Sequence, residues 1–424
     1  MTGGHARNAR LVVPALRLPV DGLDPFLRLA ARGIGGFCVF GGDLSLGTIL
    51  QKLQAEAPHP LLFASDLEDG AGQQVKGLTR HPPALALDPD SAEAAGIRTA
   101  VEARLLGLTM AFTPVCDVPS VPRNPIIQGR AFRDPMDGPA RFVRGARAFG
   151  LRTCAKHFPG HGGTSADSHD ALPVVDADAD TWRGRDLPPF RACIAAGVDA
   201  VMTAHVACPA LTGSPTLPAT LSRAVMTDLL RKEMGFQGLA VTDALLMEGV
   251  KGGRSEGEAA LLALEAGCDA LLVPQDVEEV LAAVEGADAE VALGRMAEAA
   301  APLEDPLAAA ADASVTHAGA LPLGAGPHEP LLFDLDRRGA GEAARRAIGA
   351  LAVPSVLILR SDRAWGGALE LPREAREAVA KARLVILLGP RILLEGLAPR
   401  AWVHAPGFDP LTLAAVARRV RGSL

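Results

Sequence analysis

Thr153-Cys154-Ala155-Lys156-His157-Phe158-Pro159-Gly160-His161-Gly162-Gly163-Thr164-Ser165-Ala166-Asp167-Ser168-His169 is the stretch whose reading decides the fold. It starts as a short apolar run, ends that run on Lys156 and His157, and passes into a glycine-rich loop. Three of the chain's ten histidines (His157, His161 and His169) stand in it. Imidazole is the side chain whose unperturbed pKa lies nearest neutrality, and glycine permits backbone conformations closed to other residues. An apolar strand that delivers ionisable groups into such a loop reads as chemistry rather than packing.

The same pattern recurs outward from this stretch. Apolar, β-rich runs lie near Leu11–Leu16, Gly36–Phe40, Leu61–Ala64, Thr109–Pro114, Thr153–His157, Ala200–Ala204, Leu239–Thr242 and Ala270–Val273. Between them lie stretches of helical period such as Ser91–Leu106, Pro139–Ala148, Phe190–Ala196 and Glu256–Ala266. Eight strand-then-helix repeats predict an α/β fold, a (β/α)8 TIM barrel. The runs show little polar alternation, as parallel strands covered on both faces should.

Several runs end in polar groups: Asp66 and Glu68, Asp117, Lys156 and His157, His205, Asp243, and Gln275 with Asp276. In such a barrel that edge is the catalytic face. Solvent beginning at strand ends would account for one or two of these residues, but not six strands of eight.

The predicted barrel spans 1–305. An alanine-, glycine- and proline-rich linker is expected over 306–329. A small open parallel α/β domain is expected over 330–424, with strands at Leu331–Leu335, Ser355–Arg360, Leu384–Leu388 and Trp402–Ala405. No Gly-x-Gly-x-x-Gly or Walker loop stands in that region, and no cofactor is expected.

Across 424 residues, nearly half apolar, the net charge is −7. That lacks the basic stripe of a nucleic-acid partner. No run is long enough to span a bilayer, and the N-terminal residues lack the apolar core of a signal peptide. The six cysteines are scattered in apolar stretches and read as buried free thiols. These features predict a cytoplasmic protein, with neither nucleic acid nor membrane as partner, acting as monomer or homodimer.

Asp243 closes the run Gly238-Leu239-Ala240-Val241-Thr242-Asp243. A buried carboxylate there needs partners or a task, and the spacing leaves open an N-cap for a helix starting at Ala244. Asp167 beside His169 forms a pair in which the carboxylate would raise the imidazole's pKa and fix its tautomer. Such a pair can give a proton to a leaving oxygen and later take one from water. A surface loop with turn-capping side chains is the alternative. Metal binding by His157, His161, His169 and Asp167 is a rival reading, but the loop lacks the rigid helical face of metalloprotease sites. Lys156 would also repel a cation, so no metal is expected.

Taken together, these residues resemble glycoside hydrolase family 3, in its bacterial β-N-acetylhexosaminidase branch. The match is carried by Lys156-His157-Phe158-Pro159-Gly160-His161-Gly162 with Asp167-Ser168-His169 and Leu172-Pro173. It is joined by Gly129-Arg130-Ala131-Phe132 with Asp134-Pro135, by Met202-Thr203-Ala204-His205-Val206, and by Val241-Thr242-Asp243-Ala244-Leu245 with Met247. The β-glucosidase branch lacks the Asp-Ser-His element.

The resemblance implies Asp243 as nucleophile, His169 as general acid/base and Asp167 as its partner, a departure from the two-carboxylate template. It implies that Asp66, Arg130, Lys156, His157 and His205 bind the sugar, with an Arg–Lys pair keeping Asp243 ionised. Around Asp66 the family's usual Glu-Gly-Gly becomes Glu68-Asp69-Gly70-Ala71-Gly72, and the C-terminal region resembles a shortened second domain introduced by Leu321-Pro322-Leu323.

The implied activity is that of a retaining exo-β-N-acetylglucosaminidase acting on GlcNAc-containing substrates such as peptidoglycan fragments. The alternatives are a β-glucosidase or β-xylosidase, phosphorolytic use of the same site, and a sugar-binding protein with a decayed site. Phosphorolysis enters because a histidine acid/base is neutral after protonating the leaving group, and so repels an anionic acceptor less than a carboxylate would.

Overall fold

The computed structural model describes residues 7–121, 124–164 and 172–302, and beyond them the backbone of five strands. The chain divides into two compact units, Met1–Glu304 and Asp305–Leu424.

The first unit is an α/β fold built on a curled parallel sheet. Its strands are β1 (Val12–Val13), β2 (Ala15–Arg17), β3 (Gly36–Phe40), β4 (Leu62–Ser65), β5 (Met110–Ala111), β6 (Arg152–Phe158), β7 (Ala200–Thr203), β8 (Leu239–Val241) and β9 (Leu271–Leu272). β2 to β8 form one seven-stranded sheet in sequence order. A parallel bridge links Val241 to Ala270, and β9 pairs in parallel with β1, Val12 opposite Leu271. The eight apolar runs coincide with these strands, Leu11–Leu16 being divided by Pro14 into β1 and β2.

The lack of polar alternation has a direct cause. Successive strand residues face opposite sides, and here both sides are dry. Val13, Cys38, Leu62, Ala64, Met110, Cys154, Ala200, Met202, Leu239, Val241 and Leu272 pack together in one buried cluster. Their neighbours Val12, Phe37, Val39, Phe63, Ala111, Ala155, Val201, Ala240 and Leu271 pack into another, together with helix residues. All six cysteines are buried and free.

The helices Pro89–Leu105 and Asp137–Ala148 meet at glycines. A Cβ on Gly96 would lie 2.3 Å from the Phe142 carbonyl oxygen, and one on Gly145 would lie 2.3 Å from that of Glu93. Among the described residues, no helix is long and apolar enough to cross a membrane.

In the second unit five strands lie in one sheet. Their order is β10 (Thr316–Ala318), β14 (Trp402–Ala405), β13 (Leu384–Leu388), β12 (Val356–Arg360), β11 (Pro330–Asp334). β11 to β14 are parallel and β10 is antiparallel to β14. β10 falls inside the stretch read as a linker over 306–329; three residues are too few to show a period of two.

The starts of the strands are held by carboxylates. Gly197-Val198-Asp199-Ala200 opens β7, and Gly267-Cys268-Asp269-Ala270 leads to β9. Asp199 accepts from the Thr153 N–H (3.0 Å) and Asp269 from the Ala240 N–H (2.8 Å), so each caps the first amides of a neighbouring strand. Arg147 pairs with Asp199, and Arg231 and Arg295 pair with Asp269. Burial pushes both carboxyls up, against the pull of these arginines. Arg152 at the start of β6 donates to the carbonyls of Glu298 and Ala301, closing the C-terminal end of the helix Glu290–Ala300.

Replacing Asp269 with alanine leaves the Arg231 guanidinium, only 10 % exposed, without its charge partner. The expected loss is about 3 kcal/mol of folding stability, read as a drop of several degrees in the calorimetric unfolding midpoint. An unmoved midpoint would show that this carboxylate does not hold the strand starts.

Candidate active site

At the other end of the sheet the charges converge on one cavity. Asp66, Glu68, Arg130, Lys156, His157, His161 and Asp243 line it, with Cys38, Phe40, Phe112, Met202, Met247 and Val273 among its apolar walls.

Lys156 is the first constraint. It sits inside β6, its side chain only 2 % exposed, and a buried ammonium needs anions. The turn after β4 supplies two: Nζ lies 2.6 Å from Asp66 Oδ1 and 2.6 Å from Glu68 Oε1. Glu68 also takes a fork from Arg130, Nε to Oε2 and Nη2 to Oε1, both 2.8 Å. Burial works to raise the Glu68 pKa, but Lys156 and Arg130 outweigh it and hold the carboxyl far below its usual range. Burial likewise works against the Lys156 charge, and Asp66 and Glu68 overcome it, keeping the ammonium protonated.

Asp117 is the second constraint. It is 1 % exposed and takes three donors from the end of β6 and the loop that follows. These are His157 Nδ1 (2.7 Å), the His157 N–H (3.2 Å) and the His161 N–H (2.6 Å). Its pKa is lowered: burial works to raise it, and His157 and His161 outweigh that. An ionised carboxylate only accepts, so His157 carries its proton on Nδ1 and turns Nε2 toward Arg130 Nη2, 3.5 Å away. The Lys156–His157 peptide is cis, and the ladder to β7 shifts register between Ala155 and Phe158.

Asp243 follows β8 and opens partly onto the cavity. Its Oδ1 accepts from the Ala244 N–H at 2.8 Å. Burial works to raise its pKa; His157, His205, the Ala244 N–H and Lys156 outweigh this and hold it below the usual carboxylate value. No helix begins at Ala244, which removes the N-cap reading. Instead the Leu245 N–H donates to the Leu272 carbonyl and the Leu246 N–H to that of Val273, laying the segment along the end of β9.

The structure brings Asp66, Arg130, Lys156, His157 and Asp243 to one cavity and corrects three expectations. His205, read as a sugar ligand, is fully buried behind Asp243. Its Nε2 donates to the Ala244 carbonyl (3.2 Å) and its Nδ1 meets Thr220 Oγ1 (2.8 Å), so it braces the peptide that holds Asp243. Gln275 and Asp276 are structural: their N–H groups bind Glu256, and Asp276 caps the helix Val277–Val284. Of the expected Arg–Lys pair only Lys156 helps to keep Asp243 ionised; Arg130 is committed to Glu68. Asp167 and His169 lie outside the described residues.

Sequence reasoning left Glu68 and Asp117 without roles, although both stand at strand ends. His157 Nδ1 is taken by Asp117, and His161 Nδ1 meets Thr164 Oγ1 at 2.8 Å.

Residues 34–303 match the family model described as the glycosyl hydrolase family 3 N-terminal domain. A β-hexosaminidase of Chromobacterium violaceum is 37% identical over 280 residues, 61% of this chain and 77% of that protein. One from Neisseria gonorrhoeae is 34% identical over 276 residues, 60% of this chain and 75% of that protein. Among solved structures, a glycoside hydrolase family 3 β-N-acetylglucosaminidase from Paenibacillus sp. FPU-7 gives a TM-score of 0.65 at 25% identity, covering 100% of this chain and 97% of that one. A family 3 glycosyl hydrolase from Mycobacterium smegmatis gives 0.63 at 30% identity, covering 71% and 98%. The match over most of the curled-sheet unit, and the charged cavity at its strand ends, place this chain in glycosyl hydrolase family 3.

Proposed function

We propose that this chain is a retaining exo-β-N-acetylhexosaminidase that removes terminal β-linked N-acetylglucosamine through a covalent glycosyl-enzyme on Asp243. The observation that carries the reading is the placing of Asp243: one oxygen is fixed by the Ala244 N–H, and the carboxyl stands at the wall of a cavity that Asp66, Arg130, Lys156 and His157 also line. The curated relatives carry the name β-hexosaminidase, and that activity suits such a site.

In this reading Asp66, Arg130, Lys156 and His157 hold the sugar hydroxyls, and Asp243 attacks the anomeric carbon. His169, partnered by Asp167, protonates the leaving oxygen and then deprotonates water. The curled sheet closes as an eight-stranded (β/α)8 barrel over 1–305, and residues 330–424 form the shortened second domain. Cytoplasmic peptidoglycan fragments are the substrate that fits the family resemblance.

Asp243→Asn is expected to lower kcat by at least about 10³-fold. A 5-fluoro glycosyl fluoride should label wild-type protein on the peptide containing Asp243; label on any other peptide would overturn the mechanism. The wild type should hydrolyse p-nitrophenyl N-acetylglucosaminide much faster than p-nitrophenyl glucoside, and a reversed preference would favour a β-glucosidase.

The pH profile carries a further expectation. Lowered carboxyl pKa values mean that Asp243 stays ionised, and that the stability contributed by Glu68 and Asp117 persists, until pH falls below the ordinary carboxylate value of about 4. We therefore expect kcat/KM to stay level from neutrality down to about pH 4.5 and to fall on the alkaline side as the acid loses its proton. An acid limb centred near about pH 6 would contradict the assigned environment of Asp243.

A further inference from the structure

Asn124 is fully buried, stands between β5 and Arg130, and binds through every polar side-chain atom. Its Oδ1 accepts from the N–H groups of Ile126 (2.9 Å) and Ile127 (2.8 Å). Its Nδ2 donates toward the carbonyls of His161 (3.0 Å) and Gly162 (3.2 Å) and toward Thr164 Oγ1 (3.3 Å). These partners dictate which end of the amide is which, since N–H groups face one atom and carbonyls the other. The Gln128 side chain secures the Asn124 carbonyl at 2.7 Å.

The two sides of this amide lead to different parts of the site. On the Oδ1 side, Ile126 and Ile127 form the turn that carries Arg130. The Arg130 N–H donates to the Ile127 carbonyl at 2.7 Å, and its guanidinium grips Glu68. On the Nδ2 side stands the segment His161–Thr164, tied to Asp117 and to the Ser120 N–H. A Cβ on Gly162 would lie 1.9 Å from the Val118 carbonyl oxygen, so this segment has no room to shift toward its neighbour. In the sequence it leads directly to Asp167 and His169.

We propose that Asn124 is a positioning residue for the glycosidase reaction: its amide sets the spacing between the sugar-holding Arg130 turn and the His161–Thr164 segment. The proposal rests on the hydrolase reading above. A misplacement of about 1 Å at such a site lowers turnover by roughly 10²-fold.

Asn124→Asp tests the link selectively. The aspartate keeps the oxygen that receives the Ile126 and Ile127 N–H groups and replaces the donor with an oxygen facing two carbonyls. Near neutrality kcat on p-nitrophenyl N-acetylglucosaminide should fall by roughly 10²-fold, with a smaller change in KM. A protonated carboxyl regains a donor, so the ratio of variant to wild-type kcat should rise as pH falls to about 5. Loss through general destabilisation would move that ratio the other way.

Thr164→Val, which removes one of the Nδ2 acceptors, serves if the first variant does not fold. It should lower kcat several-fold and lower the unfolding midpoint by only a few degrees, since the same hydroxyl also meets His161 Nδ1 and the His161 carbonyl. Asn124→Asp kinetics within about twofold of wild type near neutrality, a ratio that falls with pH, or unchanged kcat in Thr164→Val would each overturn the proposal. Absence of hydrolysis by the wild type would instead strike at the hydrolase reading itself.

Discussion

Burying one ammonium orders three segments at the strand ends. Lys156 lies inside β6 with 2 % of its side chain exposed, and an unpaired charge there would cost several kcal/mol. Two carboxylates after β4 meet it, Asp66 and Glu68, and reach it because β4, β5 and β6 are consecutive in the sheet. Glu68 also takes the Arg130 fork, sharing Oε1 between Lys156 and Arg130. One buried charge thus orders the β4 turn, the Arg130 turn and the end of β6 against one another. Any loss of sheet register would break all three contacts together.

The sheet is polar along its strands in a way that separates stability from chemistry. At the starts, Asp199 and Asp269 are spent on backbone amides and paired with arginines. At the ends, Asp66, Glu68 and Asp243 face a cavity. The residue types are the same at both ends; what differs is whether the partners are the strand's own amides or groups open to a ligand. The eighth strand departs from the pattern, since Gln275 and Asp276 are absorbed by Glu256 and by a helix cap.

The strands were legible because parallel strands covered on both faces must be apolar throughout, and a short apolar run set between two helical stretches is what such a strand leaves in a sequence. Lys156, Arg130 and Asp243 were legible from motifs. Glu68, Asp117 and Asn124 were not, because their roles exist only across strands and loops: Asp117 meets His157 forty positions away, and Glu68 meets Arg130 sixty-two away. His205 was misread for the same reason. A histidine after a strand looks the same in sequence whether its ring faces the cavity or the peptide behind Asp243.

The balance of charge around the cavity bears on the acceptor. Among the described residues, Asp66, Glu68, Asp69, Asp117 and Asp243 are five carboxylates; Arg130 and Lys156 are two fixed cations, and Arg80 pairs with Asp69. His157, His205, the Ala244 N–H and the already paired Lys156 lower the Asp243 pKa, and the described part of the site keeps an excess of negative charge. That excess suits a transition state in which positive charge develops at the anomeric carbon. It also opposes an anion entering for the second step. On the proposed reading a neutral histidine would lessen the repulsion of phosphate at the leaving-group side, but the carboxylates around the cavity remain. Among the described residues, both fixed cations are already engaged by Asp66 and Glu68. On the proposed glycosidase reading, the charge of the described residues favours water as the acceptor.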